Sequence, residues 1–477
     1  MRPRPASRPW SIARHEMSEM TVVSRRNLLR QALAGTAAVA GSAVLGPWNG
    51  LALAGVVPSD PSARPAPAGD FDATVATAWF DEILALIRTT PGFSPPVASR
   101  AIGYAGVTLY EAILPGLPGR RSLSGQLTEL PVLPAGGRNA AYHWPTVANA
   151  ALAEIVRALC PTATAERLAA VARLEATFLA AVPRGIRERS IDRGRAVAQA
   201  VFDWSRTDGG HEGYAHNFDP GYVPPIGPGL WQPTPPGFLP ALQPGWGRNR
   251  TFMASGPSCD PGAPIRFDTA ADSACFAEAF EVFQTVDSLT SEQLAIARFW
   301  SDDPGSTATP PGHSVSILTQ VVRARDESLA VAAEMYARLG IAVADAFIAC
   351  WGVKYRYNVL RPITYIRATI DPHWGSPLPL VTPPFPEYTS GHSVQSAAAA
   401  AVLTAQFGPV SFVDHTHDSR GLPARSFDSF DAAAAEAAIS RLYGGIHYRG
   451  AIERGLAQGR CVGERAAALD LEDDPAV

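Results

Sequence analysis

Almost every patterned stretch of this 477-residue chain repeats its apolar residues at three- and four-residue spacing, the period of a helix that buries one face. The period predicts helices over 73–88, 97–114, 146–159, 165–181, 191–205 and 314–339, most of them stopping near a Gly or Pro. Alternation with a period of two, which a half-buried strand needs, never persists beyond a few residues. The expected fold class is therefore all-α. One stretch breaks the pattern: residues 220–264 hold 12 prolines, interleaved with Tyr222, Trp231, Phe238, Trp246 and Phe252. No helix tolerates that density. The stretch is expected to wrap the helical body as a loop, where it could also wall an active-site entrance. It leaves an N-terminal helical half at 71–270, loop included, a C-terminal helical core at 271–470 and a tail at 471–477.

Composition narrows the function classes. The chain is 47% hydrophobic and 18% charged, which suits a large packed core and excludes a disordered chain. A formal net charge of −4 gives no surplus of positive charge for nucleic acid. No run of 18 apolar residues lies in the body of the chain, so no membrane span is expected. Of the 40 basic residues, 39 are arginine and one, Lys354, is lysine. Genome composition accounts for such a bias, but it raises the question of why Lys354 is not an arginine.

The first segment reads as an address. Ser24-Arg25-Arg26-Asn27-Leu28-Leu29 precedes 14 small or apolar residues at 32–45, and Ala52-Leu53-Ala54 supplies a cleavage site. That is the pattern of a twin-arginine export signal over 1–54, with a periplasmic or extracellular destination. A Pro-, Ala- and Ser-rich linker follows at 55–70. Without the signal the chain carries 33 basic and 42 acidic residues, a net charge of −9. Five scattered cysteines (Cys160, Cys259, Cys275, Cys350, Cys461) exclude a C-x-x-C zinc or redox motif and allow at most two disulfides. Cys350, in an apolar helical run, is expected to be plain core.

Three stretches in the C-terminal half carry the chemistry. Lys354 and Arg361 lie seven residues apart, which on one helix places both on nearly one face, with Pro362 marking the helix end. Ser390-Gly391-His392 opens an Ala-rich helix, where free backbone N–H groups favour an anion and a glycine lets it approach. Ser440-Arg441 ends another helix, and the Gly444-Gly445 pair separates it from His447. Each alone fits a bland account: solvated charges, an ordinary serine cap, an incidental histidine. Together they make a donor set for a tetrahedral oxyanion with two histidines beside it.

Lys354-x6-Arg361-Pro362, Ser390-Gly391-His392 and Ser440-Arg441-x5-His447 resemble the three-part signature shared by vanadium-dependent haloperoxidases and type-2 acid phosphatases. The resemblance implies a helical-bundle fold of the haloperoxidase kind, two helical halves joined by the Pro-rich loop. It implies vanadate as cofactor, with phosphate able to substitute. Lys354, Arg361, Ser390, Gly391 and Arg441 would hold the equatorial oxygens, His447 would be the axial ligand to vanadium, and His392 the acid/base group. Lys354 would also polarise bound peroxide. Trp351 and Phe385 match the aromatic positions of the family's halide pocket, and equally suit core packing. Two positions depart from the pattern. Thr389 replaces a common proline, and Ala451 stands where many members carry the aspartate that orients the axial histidine; Glu453 or a backbone carbonyl is the expected substitute.

The partners so implied are hydrogen peroxide, a halide and an organic acceptor, with an oligomer left open. Haloperoxidase is preferred over its relatives in the superfamily because the chain is long and lacks membrane spans. The alternatives are an exported acid phosphatase using His447 as nucleophile, and an oxyanion-binding protein without turnover. Other polar clusters rank lower. Asp414-His415-Thr416-His417-Asp418 has metal-ligand residue types but is expected to be a solvated loop, with metal binding the lesser alternative. Asp302 and Asp303 are expected at the surface, with pairing to an active-site arginine as the alternative, and Pro311-Gly312-His313 as a capping turn or a site wall. His143, His211 and His216 show no partner pattern.

Overall fold

The computed structural model describes residues 66–137, 140–179, 182–254, 259–375 and 382–473. The segment read as an export signal, and the linker up to residue 65, lie outside them. Among the described residues the N-terminal half supplies α1 (Thr74–Thr89), α2 (Pro95–Ile113), α3 (Trp144–Leu159), α4 (Ala165–Thr177) and α5 (Arg184–Ser205). The C-terminal half supplies α6 (Ala274–Asp287), α7 (Ser291–Phe299), α8 (Thr309–Ala324), α9 (Leu329–Tyr357), α10 (Pro362–Thr369), α11 (Gly391–Phe407), α12 (Phe430–Tyr443) and α13 (Arg449–Ala467). The only paired strands described are β1 (Phe412–Asp414) and β2 (Arg425–Phe427), antiparallel with Phe412 opposite Phe427. The all-α expectation holds.

Local chemistry sets the helix boundaries. Thr164, Ser273, Thr290, Ser328, Ser390 and Ser429 each occupy an N-cap and accept a backbone N–H with the side chain. Prolines open α2, α8 and α10, where the missing N–H has no partner to lose. One expected helix, 314–339, is two. The chain turns at Asp326, held at φ +51°, and restarts when Ser328 caps α9. Periodicity cannot see this break, because α8 and α9 turn their apolar faces to the same core.

That core is organised on α9, which is long and apolar enough to cross a membrane by length and composition. Instead, 83% of its most apolar window is buried inside the protein. It packs against α2 at very short range: a Cβ on Gly106 would sit 2.3 Å from the Tyr336 carbonyl oxygen, and one on Gly340 2.8 Å from that of Ile102. The α2–α9 crossing joins the two halves into one hydrophobic core.

The Pro-rich loop does wrap this body. Trp231 N–H bonds to the Asn358 carbonyl (2.6 Å), Tyr222 Oη to Asn358 Oδ1 (2.9 Å) and Leu242 N–H to the Pro384 carbonyl (2.8 Å). It thereby lines the C-terminal end of α9, and a Cys259–Cys461 disulfide ties its far end to α13. Cys160, Cys275 and Cys350 are free thiols, and Cys350 is buried in the core as expected.

Candidate functional site

Lys354 sits in the last turn of α9 and Arg361 at the N-cap of α10, both fully buried. They are not two positions on one helical face, as the spacing predicts. Helix α9 ends when Asn358 turns left-handed (φ +48°), and Arg361 reaches the site from the next element. Burial also excludes the account in which they are solvated surface charges.

Arg361 is held by three groups. Its Nε donates to the Phe385 carbonyl (2.9 Å), and Nη1 donates to the Ile446 carbonyl (2.8 Å) and to His447 Nε2 (3.2 Å). Its Nη2 is buried with no hydrogen-bond partner among the described residues. Lys354 directs its ammonium at three backbone carbonyls, those of Pro386 (2.9 Å), Glu387 (2.9 Å) and Thr389 (2.5 Å). It thus clamps the segment that leads into Ser390. The Phe385 ring lies under both cations, 5.0 Å from Lys354 Nζ and 4.8 Å from Arg361 Cζ. Trp351 meets that ring at 4.9 Å but is itself buried, its Nε1 donating to the Leu242 carbonyl.

Ser390 caps α11 and its N–H donates to the Ala451 carbonyl (3.1 Å). Above Gly391 the space is open, since an added Cβ would touch only the Trp351 ring, at 3.7 Å. His392, half-buried, donates Nε2–H to the Trp300 carbonyl (3.0 Å), which leaves the lone pair on Nδ1. The same carbonyl accepts Arg441 Nη2 (2.8 Å) from the last turn of α12, and Arg441 Nε donates to Ser440 Oγ (2.9 Å). Gly445, at φ +69°, makes the turn that brings His447 back beneath Arg361.

The state of His447 follows from its neighbours. A guanidinium can only donate, so Nε2 must carry a lone pair and Nδ1 the proton. That proton is given to Glu387 Oε1 at 2.8 Å, which also accepts the Tyr448 N–H at 2.9 Å. Neither Glu453 nor a backbone carbonyl fills the place of the aspartate missing at Ala451, as the sequence led us to expect. Glu387 does, from 60 residues upstream. Sequence reasoning missed it because a glutamate inside Phe-Pro-Glu-Tyr carries no pattern. Trp300, whose carbonyl joins His392 to Arg441, was invisible for the same reason.

Electrostatics show the convergence directly. Burial first, then the charges of Arg361, Lys354 and Arg441 and the ring of His392, hold His447 well below the usual histidine range. Burial and Arg441 do the same to His392. Burial brings Arg361 and Arg441 down to about 10, so both stay charged at neutral pH. Burial also lowers Lys354 to about 7 and raises Glu387 to about 8, the latter against the pull of Lys354 and Arg361. The site therefore holds an excess of buried positive charge, a donor without a partner in Arg361 Nη2, and a histidine lone pair. That set suits an oxyanion whose central atom takes a fifth ligand.

A second polar cluster lies close by; it corrects the surface expectation for Asp302 and, in part, the solvated-loop expectation for 414–418, of which His415 and Asp418 are exposed as expected. Asp302, Asp414 and His417 are buried, not solvated, and His313 bonds Asp302 Oδ2 through Nδ1 (2.9 Å) and Asp414 Oδ2 through Nε2 (2.7 Å). Burial disfavours charge on His313, yet the two carboxylates overcome it and push the imidazole up to about 10. His313 stacks on the Trp300 ring at 4.5 Å, so the cluster stands behind the carbonyl that holds His392 and Arg441. Asp303 remains exposed.

Comparison with known proteins agrees with this geometry. The family model for the VCPO second helical-bundle domain matches residues 334–471, which contain Lys354, Arg361, Ser390, Gly391, His392, Arg441 and His447. A bacterial vanadium-dependent iodoperoxidase of known structure is 35% identical and superposes with a TM-score of 0.77, over 85% of this chain and 98% of that one. A bacterial vanadium-dependent chloroperoxidase, solved in its holo form, shares the fold at 18% identity and a TM-score of 0.62, over 80% of this chain and 93% of its own. A search of curated sequences finds no match.

Proposed function

Because the chain belongs to the vanadium-dependent haloperoxidase family, we propose that it binds vanadate at His447 and oxidises halide with hydrogen peroxide, giving hypohalous acid or a halogenated organic acceptor. Iodide is the first halide to try, in line with the 35% identical iodoperoxidase. The observation that carries this reading is the unprotonated Nε2 of His447, pinned by a donor-only guanidinium and backed by a carboxyl group.

Bound vanadate would supply a Lewis-acid centre at which peroxide is activated for attack by halide. Arg361 would turn its unpartnered Nη2 on to the oxyanion and release His447 Nε2 from Nη1. Arg441, the Ser390 hydroxyl and the Gly391 N–H would complete the equatorial donors. Lys354 would have to give up one of its three carbonyls to join them. Glu387 keeps the proton on Nδ1 and the ring in line. His392, neutral, offers Nδ1 as the base that takes a proton from incoming peroxide. Phe385 offers an edge to halide between two cations, with Trp351 packed behind it. Phosphate, of the same shape and charge type, is expected to compete for the site.

Export supports the same picture from another side. The twin-arginine pattern at 24–29 and a disulfide between Cys259 and Cys461 both suit a protein that works outside the reducing cytoplasm. The activity test is direct. Protein freed of vanadate and then reconstituted should oxidise iodide in peroxide, and His447→Ala should not. Phosphomonoester hydrolysis without iodide oxidation would install the phosphatase reading; neither activity would leave binding alone.

A further inference from the structure

The cluster behind Trp300 contains atoms that its own hydrogen bonds do not satisfy. Asp302 Oδ1 and His417 Nε2 are both buried and face each other at 3.3 Å as an ion pair without hydrogen-bond geometry, and neither has a hydrogen-bond partner among the described residues. Asp302 is 4% exposed and His417 2%, a depth at which an imperfectly paired polar atom is costly. His313 is the third member: one ligand atom from each of Asp302, His313 and His417 lies within 4.8 Å of the others, and Nδ1 is the ring nitrogen that His313 turns to Asp302. The three residues come from separate segments: the loop after α7, the second turn of α8, and the turn after β1.

We propose that Asp302, His313 and His417 form a second metal site, taking a divalent borderline cation such as Zn2+ and distinct from the vanadate site. Two imidazole nitrogens and a carboxylate are a zinc-type donor set. Tetrahedral ligands at about 2.1 Å from a metal lie roughly 3.4 Å from one another, so the cluster needs only a small contraction. On binding, the metal replaces the proton on His313 Nδ1. Nε2–H then donates to Asp414 Oδ2, the carboxylate–histidine–metal arrangement that fixes a ligand's tautomer. Asp414 is already held for that role by the Thr416 N–H (2.9 Å) and hydroxyl (2.6 Å).

A cavity of about 220 Å³ lined by Asp302, His313, Thr416 and His417 gives a route in and room for a water as fourth ligand. One contact opposes the metal: Arg420 Nη1 lies 3.5 Å from His417 Nδ1, which must carry the proton once Nε2 is a ligand. Arg420 is exposed and can swing into solvent. Such a metal would fix Trp300, and through its carbonyl the positions of His392 and Arg441.

The test uses no vanadate and no peroxidase assay, so its failure is separate from failure of the haloperoxidase reading. The chain, stripped with a chelator and titrated with Co2+, should show saturable visible d–d absorption at one equivalent, and Zn2+ should displace it. Asp302→Asn and His417→Gln should weaken binding by more than about 10-fold, and Arg420→Ala should tighten it. His415→Gln, at an exposed neighbour, should change nothing. No saturable band in the wild-type chain, or a band that survives in both ligand variants, overturns the proposal. If the ligand variants fail to fold, the wild-type titration and Arg420→Ala still decide it.

Discussion

Lys354 meets the site with all its donors committed to the backbone, and its charge is conditional: burial has brought it down to about 7. Binding an anion favours the protonated lysine, so vanadate affinity should fall as pH rises above about 7. Glu387, ionising near 8, adds negative charge beside the anion and acts in the same direction. Titrating vanadate at several pH values should show this fall in the wild type and a flatter profile in Lys354→Met, the difference cancelling vanadate's own ionisation. Glu387 itself separates position from charge. Glu387→Ala should weaken vanadate by about 10- to 100-fold, the scale of losing a partner that orients a ligand. Glu387→Gln keeps an oxygen for both N–H groups and should cost much less, and equal losses would contradict the positioning role. At this scale the residues proposed to hold the oxyanion were legible, because each kind of donor recurs at a fixed spacing in the motif. Glu387, Trp300 and the Asp302–His313 pair were not. A carboxylate 60 residues from its histidine, and a carbonyl of any residue type, leave no local trace.

Among the elements, α11 and α13 matter most to the site, since Ser390 opens one of them and Ala451, its backbone partner, lies on the other. They pack so closely that a Cβ on Gly459 would stand within clashing distance of the Val394 carbonyl oxygen, and one on Gly463 2.4 Å from that of Ala398. Gly459→Ala should therefore destabilise the fold by about 1–3 kcal/mol through overpacking and lower vanadate affinity as α11 is pushed aside. Denaturant melts and vanadate titration of one preparation check both. The Cys259–Cys461 bond closes a loop of 202 residues around this region. Reduction, or Cys461→Ser, should remove about 2–4 kcal/mol, read as a lower Tm. Helix class and most helix positions were legible from period and caps. The break at Asp326 and the strands at 412–414 and 425–427 were not, because each depends on a turn that apolar spacing does not encode.

Over the whole molecule, four distant segments supply one site: the end of α9, the N-cap of α10, the start of α11, and the α12–α13 turn. The N-terminal half supports them from behind through the α2–α9 crossing, and the Pro-rich loop closes over the end of α9. An anion that binds only when all four segments are in place must stabilise the folded chain. At 100 times its Kd, vanadate should add about 2.7 kcal/mol, seen as a raised Tm that His447→Ala abolishes. The most direct test of the account is iodide oxidation by peroxide, followed as vanadate is titrated into protein stripped of it. Activity should be absent at the start and saturate at one vanadate per chain. Oxidation that ignores vanadate, or none at saturating vanadate with the protein folded, would contradict it.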